Sequence, residues 1–342
     1  MRRAAIGLVV LVLVGAACSN KSTTSPGGGA TGGGAKKVKV ALILPNVKND
    51  FTWNQQAYEG AVKLQQSGVI DLQVSDNVGQ DASSFIPVAE RYAQSGVQLI
   101  VGHTFDYGQP ILKSVAPKYP KVDFVWAGSG VKEDTTSNVG DYAQPFYQGS
   151  YLAGILMAGA STTGKIGGIA GFDIPACHAM MEGFRAGAKL VNPNIQMVVT
   201  YLGTWYDPAK EKEAAFAQYD QRADVIGICG TPTGVIEAAK ERNLGVVGYV
   251  HDQSSASPAN VLTSVVWNFD VVLKAMAQDV ADGTFQPGKV YDLGVKEGGI
   301  SVPINSAFHN APTQAALDIY NKTLAGLKDG SIKAPYVPRG TA

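Results

Sequence analysis

The feature that most constrains this chain is a rhythm: short apolar runs alternate with stretches whose apolar residues recur at helical spacing, and the cycle runs twice. Residues 38–44 (Val-Lys-Val-Ala-Leu-Ile-Leu) read as a strand buried on both faces. Helical spacing follows through Ala57, Gly60, Ala61 and Leu64. The first cycle continues with strands at 72–75, 98–102 and 123–127, helices at 83–94 and 110–116, and an extended piece at 137–140. The second places strands at 165–170, 195–201, 224–229, 246–249 and 261–265, with helices at 148–160, 176–191, 208–221 and 234–242 between them. This alternation is the mark of parallel sheets with crossover helices. A helix at 270–282 and a segment at 290–304 have no sheet of their own and must each return to an existing one.

The rhythm predicts an α/β fold of two similar doubly wound, parallel-sheet lobes joined by several chain crossings. One lobe is expected from residues 36–143 with 267–292, the other from 144–266 with 293–335. The length of 342 residues, at about 150 per domain, also gives roughly two domains.

Ahead of the first strand lies a different kind of sequence. Arg2 and Arg3 precede the apolar run Ala4–Ala17, too short to span a bilayer of about 30 Å but suited to a signal-peptide core. It ends in Val14-Gly15-Ala16-Ala17-Cys18, which resembles a bacterial lipobox, although Gly15 stands where a Leu is usual. Residues 1–17 are therefore expected to be removed and Cys18 to carry a lipid. Ordinary secretion with cleavage nearby is the alternative. Residues 18–35 are mostly Gly, Ser, Thr and Ala and read as a flexible tether. The Gly27-x-Gly29-x-x-Gly32 pattern within them follows no strand, so it carries no dinucleotide signal.

The body has little charge. Lys+Arg and Asp+Glu each number 28, and charged residues make up only 16% of the chain, which disfavours nucleic acid as a partner. Catalytic motifs fail as well. Gly164-Lys165-Ile166 ends a near-miss phosphate loop, with Ile where a metal-binding hydroxyl is needed and a strand after it instead of before. His103, His178, His251 and His309 have no metal-ligand spacing, and no cofactor or metal is implied. His103 and His251 end strands and read as local hydrogen-bonders. Cys177 and Cys229 follow strands that adjoin in a sheet of order 2-1-3-4-5, which permits a disulfide without requiring one.

In open parallel sheets, ligands sit beyond the carboxyl ends of the strands. The loops there carry Gly102, Gly128, Gly130, Gly171, Gly203 and Gly230. They also carry aromatic residues: Phe51 and Trp53, Phe105 and Tyr107, Phe172, Trp205 and Tyr206, and Trp267. Rings on both sides of a cleft could sandwich a flat ligand, or could close the lobe interface as packing. Asn49, Asp50, Asn54, Asp173 and Asp252 could read the polar edge of such a ligand. Asp207, directly before Pro208, reads as a helix cap.

The stretch from Asn49 to Gly60, Asn-Asp-Phe-Thr-Trp-Asn-Gln-Gln-Ala-Tyr-Glu-Gly, resembles the opening motif of the basic membrane protein (PnrA-like) family of ABC-transporter substrate-binding lipoproteins. Further matches are Gly149-Ser-Tyr-Leu-Ala-Gly154, Gly183-Phe-x-Ala-Gly-Ala188, Trp205-x-Asp-Pro-Ala-Lys210 and Lys296-Glu-Gly-Gly299. The resemblance runs from about Lys37 to Ser306.

It implies a type I periplasmic-binding-protein fold with three crossing segments, acting as a monomer that delivers a purine nucleoside, a nucleobase or a similar heterocycle to a membrane permease. By position, Trp53 and Trp205 would be the stacking aromatics. Asn49 and Asp50 would reach base or sugar edges, and Asp252 would meet ribose hydroxyls. The chain departs from the family pattern at Leu44-Pro45-Asn46, where an Asp is usual, and at Trp267, where a Lys is common. Both changes point away from ribose and toward a bare base or another aromatic ligand. The ligand-binding set expected from the sequence is Asn49, Asp50, Trp53, Asn54, Phe105, Phe172, Trp205, Asp252 and Trp267. A sensor built on the same lobes, or an enzyme using His103, His251 or Asp252, is the rival reading.

Overall fold

Two six-stranded sheets carry the chain in the computed structural model, which describes residues 37–128 and 138–339. The signal segment, the tether, Cys18 and Gly130 lie outside the described residues. The first sheet has the order β11-β5-β4-β3-β1-β2 and the second β12-β10-β9-β8-β6-β7.

The first sheet is built from β1 (Val38–Ile43), β2 (Ile70–Ser75), β3 (Leu99–Gly102), β4 (Asp123–Trp126) and β5 (Val139–Tyr142). Between them run α1 (Trp53–Gln66), α2 (Ala82–Gln94) and, after a 3-10 turn at Phe105–Tyr107, the single turn α3 (Gly108–Pro110). The helix expected at 110–116 is therefore a composite, with α3 continuing as a π turn (Ile111–Val115) and a 3-10 turn (Ala116–Lys118). Pro110 and Pro117 have no N–H to donate, which disturbs the ordinary helical ladder.

The second sheet contains β6 (Lys165–Ala170), β7 (Gln196–Tyr201), β8 (Val225–Cys229), β9 (Gly245–Val250) and β10 (Val261–Trp267). Its helices are α4 (Phe146–Ala160), α5 (Pro175–Val191), α6 (Pro208–Asp220) and α7 (Thr233–Arg242). The chain then recrosses. Helix α8 (Phe269–Asp282) packs on α1, and β11 (Val290–Tyr291) pairs in parallel with β5. Strand β12 (Ile300–Ser301) pairs antiparallel with β10, and α9 (Gln314–Asp329), an element the sequence reading did not place, covers α4. The three crossings are thus β5 to α4, β10 to α8 and β11 to β12.

Each sheet is covered on both faces. One apolar cluster fills the outer side of the first sheet (Phe85, Ile100, Phe124) and another that of the second (Ile169, Ile226, Val246). The third runs continuously from Val40 and Leu42 through Phe146 and Trp267 to Val265, so the inner sides share one core through the crossings. Helix α4 is buried almost all round, which suits a helix at the centre of a lobe. It meets α5 at backbone contact: a Cβ on Gly187 would lie 1.9 Å from the Tyr151 carbonyl oxygen, so only glycine fits there.

Candidate functional site

In both sheets the strand order reverses at one place, between β1 and β3 in the first and between β6 and β8 in the second. Ligands of open parallel sheets bind beyond the strand ends at such switch points. The loops there carry Asn49, Asp50 and His103 in the first lobe and Phe172 and Gly230 in the second, with Trp205 just after β7. The ends face one another, because the β1–α1 loop touches the loop after β9 of the other lobe: Gln253 Nε2 donates to the Phe51 carbonyl at 3.3 Å.

Trp53 opens α1 and is half-buried. Its Nε1–H donates to the His103 carbonyl (3.0 Å), while His103 Nε2 meets the Trp53 carbonyl (3.1 Å). A carbonyl can only accept, so the proton sits on Nε2, and Nδ1 accepts from the Tyr142 hydroxyl at 2.7 Å. Burial holds the His103 imidazole neutral, lowering its pKa to about 4, with hydrogen bonding to Trp53 acting weakly the other way.

The rings add a second constraint. Trp53 stacks on His103 (4.5 Å between centroids) and on Trp267 (5.0 Å), while His103 and Trp267 are themselves 5.7 Å apart. Two rings on opposite faces of a third keep about 7 Å between them, twice the contact distance of carbon layers. His103 and Trp267 therefore back the same face of Trp53.

That geometry places Trp267 within the fold differently from the sequence reading. It does not follow its strand but ends it, pairing with Ile300, and it is fully buried behind Trp53. Its Nε1–H has no hydrogen-bond partner among the described residues.

Asp50 is also spent locally. Its Oδ1 accepts from the backbone N–H groups of Thr52 and Gln55 (both 3.0 Å), and its Oδ2 from Asn54 N (3.1 Å) and Asn54 Nδ2 (2.7 Å). The carboxylate thereby satisfies the exposed donors at the start of α1. Asn54 is buried, and its Oδ1 has no hydrogen-bond partner among the described residues. Asn49 is exposed.

In the second lobe, Trp205 is 45% exposed and meets Phe172 edge-on at 5.1 Å. Gly171 makes this possible, since a Cβ there would lie 2.6 Å from the Trp205 ring. The Thr231 hydroxyl is shared between the Trp205 carbonyl (2.7 Å) and Glu211 Oε1 (2.5 Å). Glu211, itself buried, also accepts from Gly234 N at 2.9 Å, so a carboxylate fixes the loop that holds the indole. Asp207 caps α6, accepting from Lys210 N at 3.1 Å. Cys177, in the first turn of α5, is disulfide-bonded to Cys229 at the end of β8, with 5.6 Å between their Cα atoms.

Two expected residues lie at the rim. Phe105 is 59% exposed and leans on Trp126, while Asp252 is exposed and accepts from Ser254 N at 3.0 Å. Among the described residues no group of three or more His, Cys, Asp or Glu side chains could hold a metal ion.

The sequence profile described as ABC transporter substrate-binding protein PnrA-like matches residues 37–333. The chain belongs to that family. A purine-binding protein of Brucella abortus is 30% identical over 87% of this chain and 83% of its own length. The transcriptional activator protein med of Bacillus subtilis is 29% identical over 83% of this chain and 89% of its own. Among solved structures, an ABC-transporter solute-binding protein of Conexibacter woesei superposes with a TM-score of 0.75 at 28% identity, covering 87% of this chain and 99% of the other. As a substrate-binding protein of this family, the chain is built to take a small solute.

The structure brings Trp53, Asp50 and Asn54 together on one lobe and Phe172 and Trp205 on the other. It also shows what the sequence reading missed. His103 and Tyr142 lock the platform, Glu211 holds the opposing loop, and Glu59 meets His251 across the lobes. A histidine ending a strand beside an aromatic-rich loop was the one available signal; nothing in the sequence pairs Glu59 with a residue 192 positions away.

Proposed function

We propose that this protein is the ligand-capturing lipoprotein of an ABC importer. It holds a purine base or nucleoside between Trp53 and Trp205 and passes it to a permease in the membrane to which a lipid on Cys18 anchors it. The observation that carries the reading is the preformed platform. Trp53 is held by reciprocal hydrogen bonds, backed on one face by His103 and Trp267 and half-buried, and an exposed indole is held on the other lobe. A flat heterocycle buries most area, and stacks best, between two such rings. Asn54 Oδ1 offers a buried acceptor near the platform, and Asn49 and Asp252 offer polar groups at the rim. The Brucella relative named for purine binding supports the same ligand class. Closing two lobes over one ligand stabilises the state that touches it from both sides.

Native mass spectrometry of the full chain as purified tests this reading. A retained adduct with the mass of a purine base or nucleoside is expected, and a retained sugar or amino acid in its place would refute the ligand class.

A second reading is favoured by the relative named as a transcriptional activator: the same capture serves sensing, with a signalling partner in place of a permease. Co-purification of the full chain with a permease from detergent-solubilised membranes separates the two readings.

A further inference from the structure

The first half of α1 and the loop before it reach across to the second lobe at three points. Gln56 Nε2 donates to the Trp267 carbonyl (2.5 Å) beside the hinge, and the Phe51 carbonyl accepts from Gln253 Nε2 (3.3 Å). The third contact sets Glu59 Oε2 3.1 Å from His251 Nε2. Gln253 is fully used in this arrangement, its amide also bonding the Tyr249 carbonyl (3.1 Å) and its Oε1 accepting from Tyr249 N (2.9 Å).

The histidine is the informative member. Its Nδ1 lies 3.0 Å from the Asp252 carbonyl oxygen, which can only accept, and its Nε2 faces a carboxylate, which in its ionised form can only accept. A neutral imidazole has one N–H and would leave one contact as lone pair against lone pair. Both contacts are hydrogen bonds only when the ring carries two protons. Its charged surroundings agree. Glu59 Oε1 takes the Gln55 amide (2.7 Å), which leaves Oε2 for the ring, and the neighbouring carboxylate is that of Asp252. Lys63, one turn along α1, is engaged with Asp270.

The backbone on each side is unusual. Val250 has φ +66° and centres a three-residue turn in which His251 N donates to the Tyr249 carbonyl (2.7 Å). Phe51 has φ +63°. A β-branched residue in the left-handed region is costly, and such conformations persist where the surroundings over-determine them. Both residues adjoin the interlobe contacts, and the turn at Val250 presents His251 toward α1.

We propose that Glu59 and His251 are closure residues of the ligand site, and that closing the lobes takes up one proton at His251. The proposal rests on the reading that the lobes close over a ligand, and it gives that closure a pH dependence. By mass action the lobes then close more readily at lower pH.

The test is made on the full chain without ligand, by energy transfer between dyes on the outer ends of the two lobes, at pH 8.0 and 5.5. The closed-to-open ratio is expected to rise at pH 5.5, by up to about fivefold for a partly exposed ion pair. Glu59→Gln and His251→Gln should each abolish that rise, because a glutamine pairs equally at both pH values. An identical ratio at both pH values in the parent chain, or a rise that survives in both variants, overturns the proposal. Adenosine and adenine are then titrated separately: if neither binds while the ligand-free response persists, the ligand reading falls and the closure pair stands.

Discussion

Trp53 and His103 hold each other through two reciprocal hydrogen bonds, each ring N–H donating to the other residue's carbonyl, with the rings stacked 4.5 Å apart. The arrangement fixes the orientation of the indole and joins it through His103 to Tyr142, the last residue of β5 before the first crossing between lobes.

A stability signature follows from the buried imidazole. The folded protein refuses a proton at His103 until about pH 4, whereas an unfolded histidine takes one near 6.5. Between those values the unfolded state binds more protons, so stability is intact above about pH 6.5 and declines as pH falls toward 4, by about 3 kcal/mol in total. Denaturant melts across that window should show the decline, and His103→Gln, which still donates to the Trp53 carbonyl but does not titrate, should flatten it.

The two platform indoles are expected to separate binding from folding. Trp205 is 45% exposed, so Trp205→Ala should lower affinity for a purine at least tenfold while leaving the melting temperature nearly unchanged. Trp53 packs on His103 and Trp267, so Trp53→Ala should cost binding and also about 2 kcal/mol of stability. Paired titrations and melts check both.

Reducing the Cys177–Cys229 bond opens a covalent loop with a sequence separation of 52. Chain-entropy arguments put the loss of stability at about 4 kcal/mol. Melts with and without reductant, compared with a Cys177→Ala/Cys229→Ala double variant, measure it.

The close contact of α4 with α5 gives a further expectation. Gly187→Ala would press a methyl group into the Tyr151 carbonyl, 1.9 Å away, and the two helices must part to admit it. A loss of about 3 kcal/mol is expected from overpacking against backbone, read from the denaturation midpoint.

The fold was legible because its cause is local. Apolar runs such as Val38–Ile43 and Val225–Cys229 are buried on both faces and announce a parallel sheet wherever they occur. The post-strand segments that carry Trp53, Phe172 and Trp205 were legible for the same reason, since the loops of such sheets gather at one side. What escaped depends on long-range geometry. Trp267 looks like a loop aromatic in sequence, but pairing with Ile300 extends β10 to include it and turns it into core. Asp50 looks like a ligand group, yet α1 begins without a side-chain cap on Thr52, and the carboxylate two residues upstream supplies those acceptors instead. Glu59 carries no sign of its partner, because only the approach of two lobes brings His251 to it.

Calorimetric titration of the full chain with adenosine, guanosine, adenine and hypoxanthine tests the central claim most directly. The account predicts one-site binding of at least one of them, lost in Trp205→Ala. No heat from any of the four, together with one-site binding of a sugar or an amino acid, would contradict it.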